Sequence, residues 1–392
     1  MSDSEKADIV VGILCKNVEA TILHVMNVVN DGLHRYFSEH KKAMVVSDGY
    51  SSDRTKELAE LFQPYEGVKK IITYDRERGG KGGGVKTVLA IAQQMDAKVV
   101  ILLDGDLLSI RPEWIYELAA PILYGRADLM VPYYIRDKYD GVITNNLVYP
   151  FTRALYGIDI RQPIAGEYGL SKKLYEMLLS HPLFPLDFGV DIFIVTSAAA
   201  SRMRIMEGIF SLKIHESTTH YLEPEELLLP MFRQVTGTMF KLAEYYEDFW
   251  RNNGSIFHHN TVNEFNGKKP VPVRIDMERM RNSFREEFLR WQGIIKKILP
   301  EGIMKRLGDM DGGTIKNLDS GTWAEIVYNF AAAYKKAEEK EKILDALKSL
   351  WLGRFLSYAM ETEKMDLMDA ERLIQEQARI FEEKREYLLS IY

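Results

Sequence analysis

The sequence has little of what marks secreted and membrane proteins. It contains one cysteine, Cys15, so no intrachain disulfide can form and a reducing compartment is favoured. No apolar run approaches the roughly eighteen residues that a membrane span needs. The first residues are polar and acidic rather than the basic segment of a secretion signal. We therefore expect a cytoplasmic protein with no membrane span.

An excess of positive charge is also absent. The 392 residues include 51 Lys and Arg against 57 Asp and Glu, which gives a net charge of −6. Nonspecific nucleic-acid binding needs a basic surface, so we expect small-molecule substrates and no nucleic acid. The hydrophobic content of 46% is ordinary for a globular protein, and the length suffices for one large core and a second, smaller unit.

Short apolar runs alternate with segments of helical periodicity in the first third of the chain. This alternation predicts an α/β fold, with a mostly parallel sheet and helices on both faces. The run VVILL, residues 99–103, suits a central strand buried on both sides. The predicted strands are 9–14, 43–46, 69–74, 99–103 and 129–134, and the predicted helices are 21–36, 54–62, 85–95 and one that begins at Pro112.

Beyond Pro224 the pattern changes to long helices. We predict helices over 225–250, 275–298, 322–350 and 352–387, with a loop over 252–272 and two shorter helices, 144–155 and 172–180, before them. The predicted domains are therefore residues 1–222, which carry the sheet, and a helical C-terminal region over residues 223–392. The amphipathic helices suggest a homodimer contact as a hypothesis.

Asp104-Gly105-Asp106 follows the central strand directly. Ligands of open α/β sheets bind beyond the carboxyl ends of the strands. Carboxylates there suit a divalent cation that takes its other ligands from water and a substrate diphosphate. The alternative is a polar turn that merely ends the strand.

Two further features follow neighbouring strands. Asp48 ends the second strand, where its carboxylate could accept hydrogen bonds from a base or ribose. Lys81 and Gly82 lie in the glycine-rich stretch 79–84, whose N–H groups could approach phosphates closely; the alternative is a flexible surface loop. The spacing matches neither a Walker A loop nor a dinucleotide motif. With the two aspartates of the central strand, these residues predict a site for a nucleotide diphosphate and a metal.

Three residues further along the chain complete the candidate set. His215 ends the last apolar run of the α/β part and could provide an imidazole ligand to the metal; the alternative is a structural histidine. Glu167 and Asp191 are candidate acids near the reacting groups. Their alternatives are a buried carboxylate satisfied by local N–H groups and a helix cap, respectively.

These motifs together resemble the glycosyltransferases of the GT-A type, which use nucleotide sugars. More narrowly, they resemble the retaining synthases of glucosyl-3-phosphoglycerate and mannosylglycerate, and the similarity extends into the helical region. The most specific motif is QPIAGE. The motifs that carry the resemblance are Gly80-Lys81-Gly82, Asp104-Gly105-Asp106, Gln162-Pro163-Ile164-Ala165-Gly166-Glu167, Gly189-Val190-Asp191 and His215.

The resemblance implies a role for each residue. Asp106 and His215 would hold the cation on the donor diphosphate, with Asp104 near the ribose or the metal's waters. The remaining residues would line the nucleotide and sugar pockets: Asp48, Lys81 and Gly82 at the nucleotide, Gly166 and Glu167 between donor sugar and acceptor, Asp191 near the sugar hydroxyls, and Thr144 at the acceptor carboxylate.

We therefore expect a hexosyltransferase that uses Mg²⁺ or Mn²⁺ and GDP-mannose, GDP-glucose or UDP-glucose, with D-glycerate or 3-phosphoglycerate as the acceptor. The product would be a compatible solute or its precursor. The alternatives are a larger acceptor such as glucosylglycerate, a sugar-phosphate nucleotidyltransferase, and a non-catalytic nucleotide-sugar-binding protein. Val131 and Val142 stand where relatives have acceptor-binding arginines, a charge that Arg136 or Lys138 could replace.

Overall fold

The computed structural model describes residues 6–215, 224–252, 261–262, 269–308 and 318–392. The chain divides into two compact units. The first contains residues 1–135, 162–224 and 259–269, and the second contains residues 136–161, 225–258 and 270–392. The passage at residues 224 and 225 lies close to the predicted domain boundary. The segment 136–161, however, groups with the helical part, although we had placed it in the sheet-bearing domain.

The first unit is built on one mixed sheet, so the predicted α/β class is confirmed. Its described strands run in the order β3-β2-β1-β4-β6-β5-β7-β8, and every neighbouring pair is parallel except those that include β6. The strands are β1 Ile9–Cys15, β2 Lys42–Asp48, β3 Val68–Tyr74, β4 Val99–Asp104, β5 Leu129–Ile135, β6 Tyr168–Ser171, β7 Ile205–Leu212 and β8 Thr261–Val262.

β4 lies at the centre of the sheet, as its sequence predicts. Residues 99–103 are at most 1% exposed, because β4 pairs with β1 on one side and β6 on the other. The antiparallel strand β6 was not predicted. It reverses the local direction of the chain, so its first residue, Tyr168, pairs with Leu102 near the end of β4. The segment that precedes β6 therefore meets the carboxyl ends of the parallel strands.

The helices of the first unit agree with the sequence pattern except at one start and at the helix Val190–Ala200, which was not predicted. They are α1 Ile22–Tyr36, α2 Thr55–Leu61, α3 Lys81–Gln94, α4 Pro112–Leu123, α6 Lys172–Ser180 and α7 Val190–Ala200. The predicted helix 85–95 begins four residues earlier, at Lys81, because the glycines at 82–84 form its first turn. A side chain at Gly82 would bring its Cβ within 2.1 Å of the Pro185 carbonyl oxygen. Close packing thus puts glycine where helix propensity disfavours it.

The second unit is helical. A π-helical turn over Thr144–Val148 leads into α5, Tyr149–Tyr156, where we had predicted one regular helix. The later helices are α8 Pro224–Tyr245, α9 Glu247–Asn252, α10 Met277–Ile298, α11 Glu301–Leu307, α12 Ser320–Lys336, α13 Lys340–Thr362, α14 Leu367–Glu383 and α15 Arg385–Ile391. Residues 253–260 and 263–268 of the predicted loop lie outside the described residues.

Several predicted helix boundaries are wrong. The predicted helix 225–250 is interrupted at residue 246, and the predicted helix 352–387 is interrupted at residues 363–366 and at residue 384. The predicted helix 322–350 ends early, because the chain leaves α12 at Ala337, whose ψ of 141° is extended, and α13 then continues through Trp351, where we had placed a break. Residues 337–339 are Ala-Glu-Glu, good helix formers without a proline or glycine to signal the interruption. α13 is buried around most of its circumference between Leu344 and Ala359, so it lacks the amphipathic period on which the prediction relied.

Arg354 of α13 is a fully buried cation within the second unit. Its guanidinium donates to the Leu318 carbonyl oxygen at 2.7 Å and to Gln377 Oε1 at 2.8 Å, and it pairs with Glu361 at 3.2 Å. A buried guanidinium needs such a set of acceptors to offset its desolvation. No described helix of either unit is long and apolar enough to cross a membrane.

Candidate active site

The Asp-Gly-Asp turn lies where the sequence places it, at the end of β4. The Gly105 N–H donates to the Leu14 carbonyl oxygen at 2.8 Å. A Cβ at this position would lie 2.9 Å from both the Leu14 oxygen and the Cys15 Cβ. Only glycine therefore lets the turn pack on the end of β1. Asp104 and Asp106 are the residues directly before and after this glycine.

His215 reaches Asp106 through a short backbone pairing after β7. β7 itself ends at Leu212, three residues before the predicted end of that strand, and His215 forms an isolated antiparallel bridge with Leu107. The Leu108 N–H donates to the Ile214 carbonyl oxygen at 2.8 Å. His215 Nδ1 then lies 3.6 Å from Asp106 Oδ2, and both side chains are less than a fifth exposed. The structure thus brings together two of the predicted metal ligands.

The third predicted ligand, Asp104, is engaged elsewhere. Its Oδ1 lies 2.9 Å from Lys81 Nζ. Among the described residues no group of three or more histidine, cysteine, aspartate or glutamate side chains is arranged to hold a metal ion. A cation at Asp106 and His215 would therefore need further oxygen ligands from a diphosphate and from water, as Mg²⁺ and Mn²⁺ sites commonly do.

Lys81 is largely removed from solvent, with its side chain 9% exposed, and it contacts several groups of the site. Its Nζ pairs with Asp104, lies 3.2 Å from Asp191 Oδ2 and donates to the Gly166 carbonyl oxygen at 3.2 Å. Burial by itself lowers the pKa of Lys81, but the carboxylates of Asp104, Asp191 and Glu167 outweigh it and raise the pKa above the ordinary value. Lys81 therefore stays protonated and holds acidic groups together.

The glycines beside Lys81 serve the packing of α3. A Cβ at Gly83 would lie 2.3 Å from the Glu77 carbonyl oxygen, and the Gly83 N–H donates to the Leu186 carbonyl oxygen at 3.1 Å. The stretch is therefore not the flexible surface loop that was one of the two interpretations. Its glycine N–H groups are in part already used within the fold, and contact of Gly82 with a nucleotide remains a prediction.

Asp48 is fully buried at the end of β2. Its Oδ1 accepts the Ser51 N–H at 2.7 Å, so the carboxylate takes part in the turn after this strand. A second buried carboxyl group, Asp75, follows β3 at the same edge and accepts the Ser47 hydroxyl at 2.7 Å. Burial raises the pKa of Asp75. The sequence analysis missed Asp75, although its position directly after a strand was the available signal.

Glu167 is fully buried, and its partners are side chains rather than local N–H groups. Lys213 Nζ lies 3.0 and 2.8 Å from its two carboxylate oxygens, and the Tyr134 hydroxyl donates to Oε2 at 2.8 Å. Burial raises the pKa of Glu167, while Lys213 acts in the opposite direction. Lys213 was also missed, because a single lysine after an apolar strand gives no pattern to find.

Asp191 lies in the first turn of α7, where Gly189 is the N-cap, so it is not the cap of that helix. One oxygen is paired with Lys81. The other, Oδ1, is buried and accepts no hydrogen bond from the described residues. Buried carboxylate oxygens are rarely left without a donor. Burial also raises the pKa of Asp191. A ligand hydroxyl group fits this vacant acceptor.

Gly166 lies where these groups converge. Its φ is +98°, and a Cβ there would lie 2.8 Å from Lys213 Nζ, 2.9 Å from Asp104 Oδ2 and 3.5 Å from Lys81 Nζ. The backbone at Gly166 thus passes between two ammonium groups and a carboxylate. Its conformation is one that residues with a side chain rarely adopt.

Thr144 belongs to the second unit, where it begins the π-helical turn and is buried. A Cβ at Gly141 would lie 3.5 Å from Arg136 Nη1 and 3.9 Å from the Thr144 hydroxyl oxygen, so the two polar groups flank this glycine. Lys138 is used differently: it donates to the carbonyl oxygens of Thr362 and Met365 at 2.5 and 2.8 Å, at the end of α13. Of the two candidate cations for an acidic acceptor, Arg136 is therefore the one beside Thr144.

Comparison with known proteins assigns the first part of the chain. Residues 10–171 match the family described as Glycosyl transferase family 2, and none of the curated proteins matches the chain. This segment covers β1 to β6 and contains Asp48, Lys81, Asp104, Asp106 and Glu167. This part of the chain, less than half of its 392 residues, is similar to glycosyl transferase family 2.

Among solved structures, the chain is similar to glucosyl-3-phosphoglycerate synthase from Mycobacterium tuberculosis. The sequences are 24% identical over 62% of this chain and 82% of that chain. The TM-scores are 0.49 for the complex with phosphoglyceric acid, 0.49 for that with Mn²⁺, UDP-glucose and phosphoglyceric acid, and 0.48 for that with Mg²⁺ and UDP. Likeness at this level carries no conclusion about substrates.

Proposed function

We propose that the chain transfers glucose or mannose from a nucleotide diphosphate sugar to a glycerate-type acceptor, D-glycerate or 3-phosphoglycerate, with a divalent cation as cofactor. The product would be a compatible solute or its precursor. The observation that carries the proposal is the pair formed by Asp106 and His215 beyond the end of β4. An Asp–His pair at the carboxyl edge of the sheet has the ligand types and the position for a cation on a donor diphosphate.

The cation, when bound, would neutralise charge that develops on the leaving diphosphate. Asp106 and His215 provide its protein ligands in this proposal. Asp48, buried at the end of β2, is assigned to the nucleoside. Lys81 forms ion pairs with Asp104 and Asp191 and keeps both carboxylates in place. Each of these groups is fixed by the fold, so little rearrangement is needed when the donor binds.

We assign the donor sugar to Asp191 and Glu167. The buried Oδ1 of Asp191 would accept a sugar hydroxyl, which supplies the donor that this oxygen lacks among the described residues. Glu167, held by Lys213 and Tyr134, would present an oriented carboxylate near the junction of sugar and acceptor. Retention of the anomeric configuration belongs to the proposal through the resemblance of the QPIAGE and Asp-Gly-Asp motifs.

The acceptor's negative charge is assigned to Thr144 and Arg136. Thr144 would donate to the acceptor carboxylate, and the Arg136 guanidinium would supply the positive charge that the valines at 131 and 142 lack. The pair flanks Gly141, where a Cβ would lie 3.5 Å from Arg136 Nη1 and 3.9 Å from the Thr144 hydroxyl oxygen. Arg136 also lies 3.7 Å from Asp140. An arginine beside a hydroxyl group suits a carboxylate or a phosphate.

A donor-by-acceptor screen tests the proposal. GDP-mannose, GDP-glucose and UDP-glucose are each offered D-glycerate, 3-phosphoglycerate and glucosylglycerate with Mg²⁺ or Mn²⁺, and release of nucleoside diphosphate is followed. We expect turnover with one of the first two acceptors, lost in Asp106→Ala and His215→Ala but kept in Asp96→Asn, which removes exposed ion pairs with Lys172 and Lys6 and keeps a residue that tolerates the positive φ of this position. Turnover with glucosylglycerate alone would move the assignment to a larger acceptor, and silence across the grid would refute the substrates.

A further inference from the structure

All three hydrogen bonds of the Lys213 ammonium group go to one three-residue segment, residues 165–167. Its ammonium group has three N–H donors, and it lies within hydrogen-bonding distance of the Ala165 carbonyl oxygen at 2.6 Å and the two Glu167 oxygens at 3.0 and 2.8 Å. The side chain is 3% exposed. Lys213 therefore holds both the backbone and the side chain of residues 165–167.

A second lysine holds the same segment from another direction. Lys81 Nζ donates to the Gly166 carbonyl oxygen at 3.2 Å, so consecutive carbonyl groups, those of Ala165 and Gly166, accept from different buried lysines. Between them Gly166 has a φ of +98°. Glycine adopts positive and negative φ with similar ease, so the hydrogen bonds from the two lysines help to select this conformation.

Packing alone does not account for Lys213. Burying an ammonium group costs several kcal/mol, and an apolar side chain of similar length would fill the space without that cost. The ammonium also lies 5.2 Å from the centre of the Tyr134 ring, whose hydroxyl donates to the same Glu167 carboxylate. What Lys213 adds over an apolar residue is a fixed and oriented Glu167 together with a fixed peptide at Gly166.

We propose that Lys213 is a positioning residue for sugar transfer: it orients Glu167 and the 165–166 peptide at the donor-sugar end of the site. This inference rests on the proposed function, because the expected effect on kcat presupposes that the protein transfers a sugar. The hydrogen bonds of Lys213 go to residues 165 and 167 and not to Asp48, so its loss should spare nucleotide binding. Loss of the Lys213 side chain should lower kcat, because a displacement of about 1 Å at a reacting site can lower the rate about 100-fold.

A double-mutant cycle tests the assignment with Lys213→Met, Glu167→Gln and the double variant. We expect Lys213→Met to lower kcat by about 100-fold with less than about a threefold change in the donor KM. In the Glu167→Gln background the same change should cost almost nothing, because groups that act as a unit are not additive. Losses that multiply in the double variant, or a loss confined to KM, would overturn the proposal.

Lys42→Met is the matched control. Lys42 is a buried lysine of the same unit, at the start of β2, and it donates to the carbonyl oxygens of Phe37 and Ser38 at 3.1 and 3.3 Å. A purely structural loss of a buried ammonium should lower the melting temperature of both variants. Only Lys213→Met should also lower kcat, and equal kcat values in the two variants would contradict the positioning role.

A crystal structure of Lys213→Met separates this inference from the proposed substrates. Even if the wild-type protein turned over none of the tested donors, the positioning role predicts that the Glu167 carboxylate rotates and that the Ala165–Gly166 peptide shifts. An unchanged 165–167 segment in this variant would overturn the proposal. Absence of turnover in the wild-type protein would instead refute the proposed function.

Discussion

Gly166→Ala is the substitution for which the structure predicts the clearest loss of stability. At a φ of +98° the new methyl group would lie 2.8 Å from Lys213 Nζ and 2.9 Å from Asp104 Oδ2. The backbone conformation alone costs about 1–3 kcal/mol for a residue with a side chain. Crowding then forces Lys213, Asp104 or the peptide itself to move. We expect a total loss of about 3 kcal/mol in the free energy of unfolding.

Gly67→Ala separates the two contributions. Gly67 also has a positive φ, +84°, but no atom lies within 4 Å of the position of its Cβ, so the variant measures backbone strain without crowding. At about 2–4 °C per kcal/mol, Gly67→Ala should lower the melting temperature by about 2–4 °C and Gly166→Ala by about 6–12 °C.

Activity provides the second readout. Displacement of charged groups in the site should lower kcat of Gly166→Ala by about 100-fold, while Gly67→Ala should keep the wild-type value because its turn precedes β3, away from the carboxyl edge. If Gly166→Ala melted within about 1 °C of Gly67→Ala and kept its activity, the convergence of charged groups at Gly166 would be refuted.

Three further experiments test other parts of the molecule. Burial, with the charge of Glu113, raises the pKa of Glu117 to about 7, so ionisation of Glu117 destabilises the fold as the pH rises from about 4 to 7; because Glu117 is partly exposed, we expect Glu117→Gln to gain only about 1 kcal/mol at pH 8 and nothing at pH 4, measured by thermal melting. Arg354→Met should destabilise the second unit by about 3–5 kcal/mol in urea unfolding, whereas Arg372→Met, which breaks an exposed pair, should cost less than about 0.5 kcal/mol. Burial raises the pKa of Cys15 well above its usual range, so the native thiol should be inert to DTNB and react only after unfolding; rapid native labelling would contradict its burial.

The sheet and one edge of the site were predictable because their signals are local. A buried parallel strand is a short apolar run, and the residue after it must lie at the carboxyl edge. That argument located Asp48, Asp104 and Asp106 without knowledge of the strand order. It would also have located Asp75 after β3, had the same rule been applied there.

The rest of the site depends on contacts between segments distant in the sequence. Glu167 reaches Asp104 only because β6 runs antiparallel beside β4, and the four residues of that strand carry no distinctive period. Lys213 acquires its role from Glu167, 46 residues earlier in the chain. Local sequence patterns do not show which distant residues pair with one another. In the sequence, the lysines of the site therefore look like ordinary surface residues.

The metal-dependent nucleotide site at Asp106 and His215 is the central claim, and titration calorimetry tests it directly. UDP and GDP are titrated into the protein with Mn²⁺ and with EDTA. We expect the cation to strengthen binding of one nucleotide, and Asp106→Asn or His215→Ala to abolish that gain while Asp96→Asn retains it. Even partners outside a ligand set cost about 10–100-fold in metal affinity, so loss of a ligand should be unmistakable. Equal binding with Mn²⁺ and EDTA, or an undiminished gain in both variants, would contradict the account.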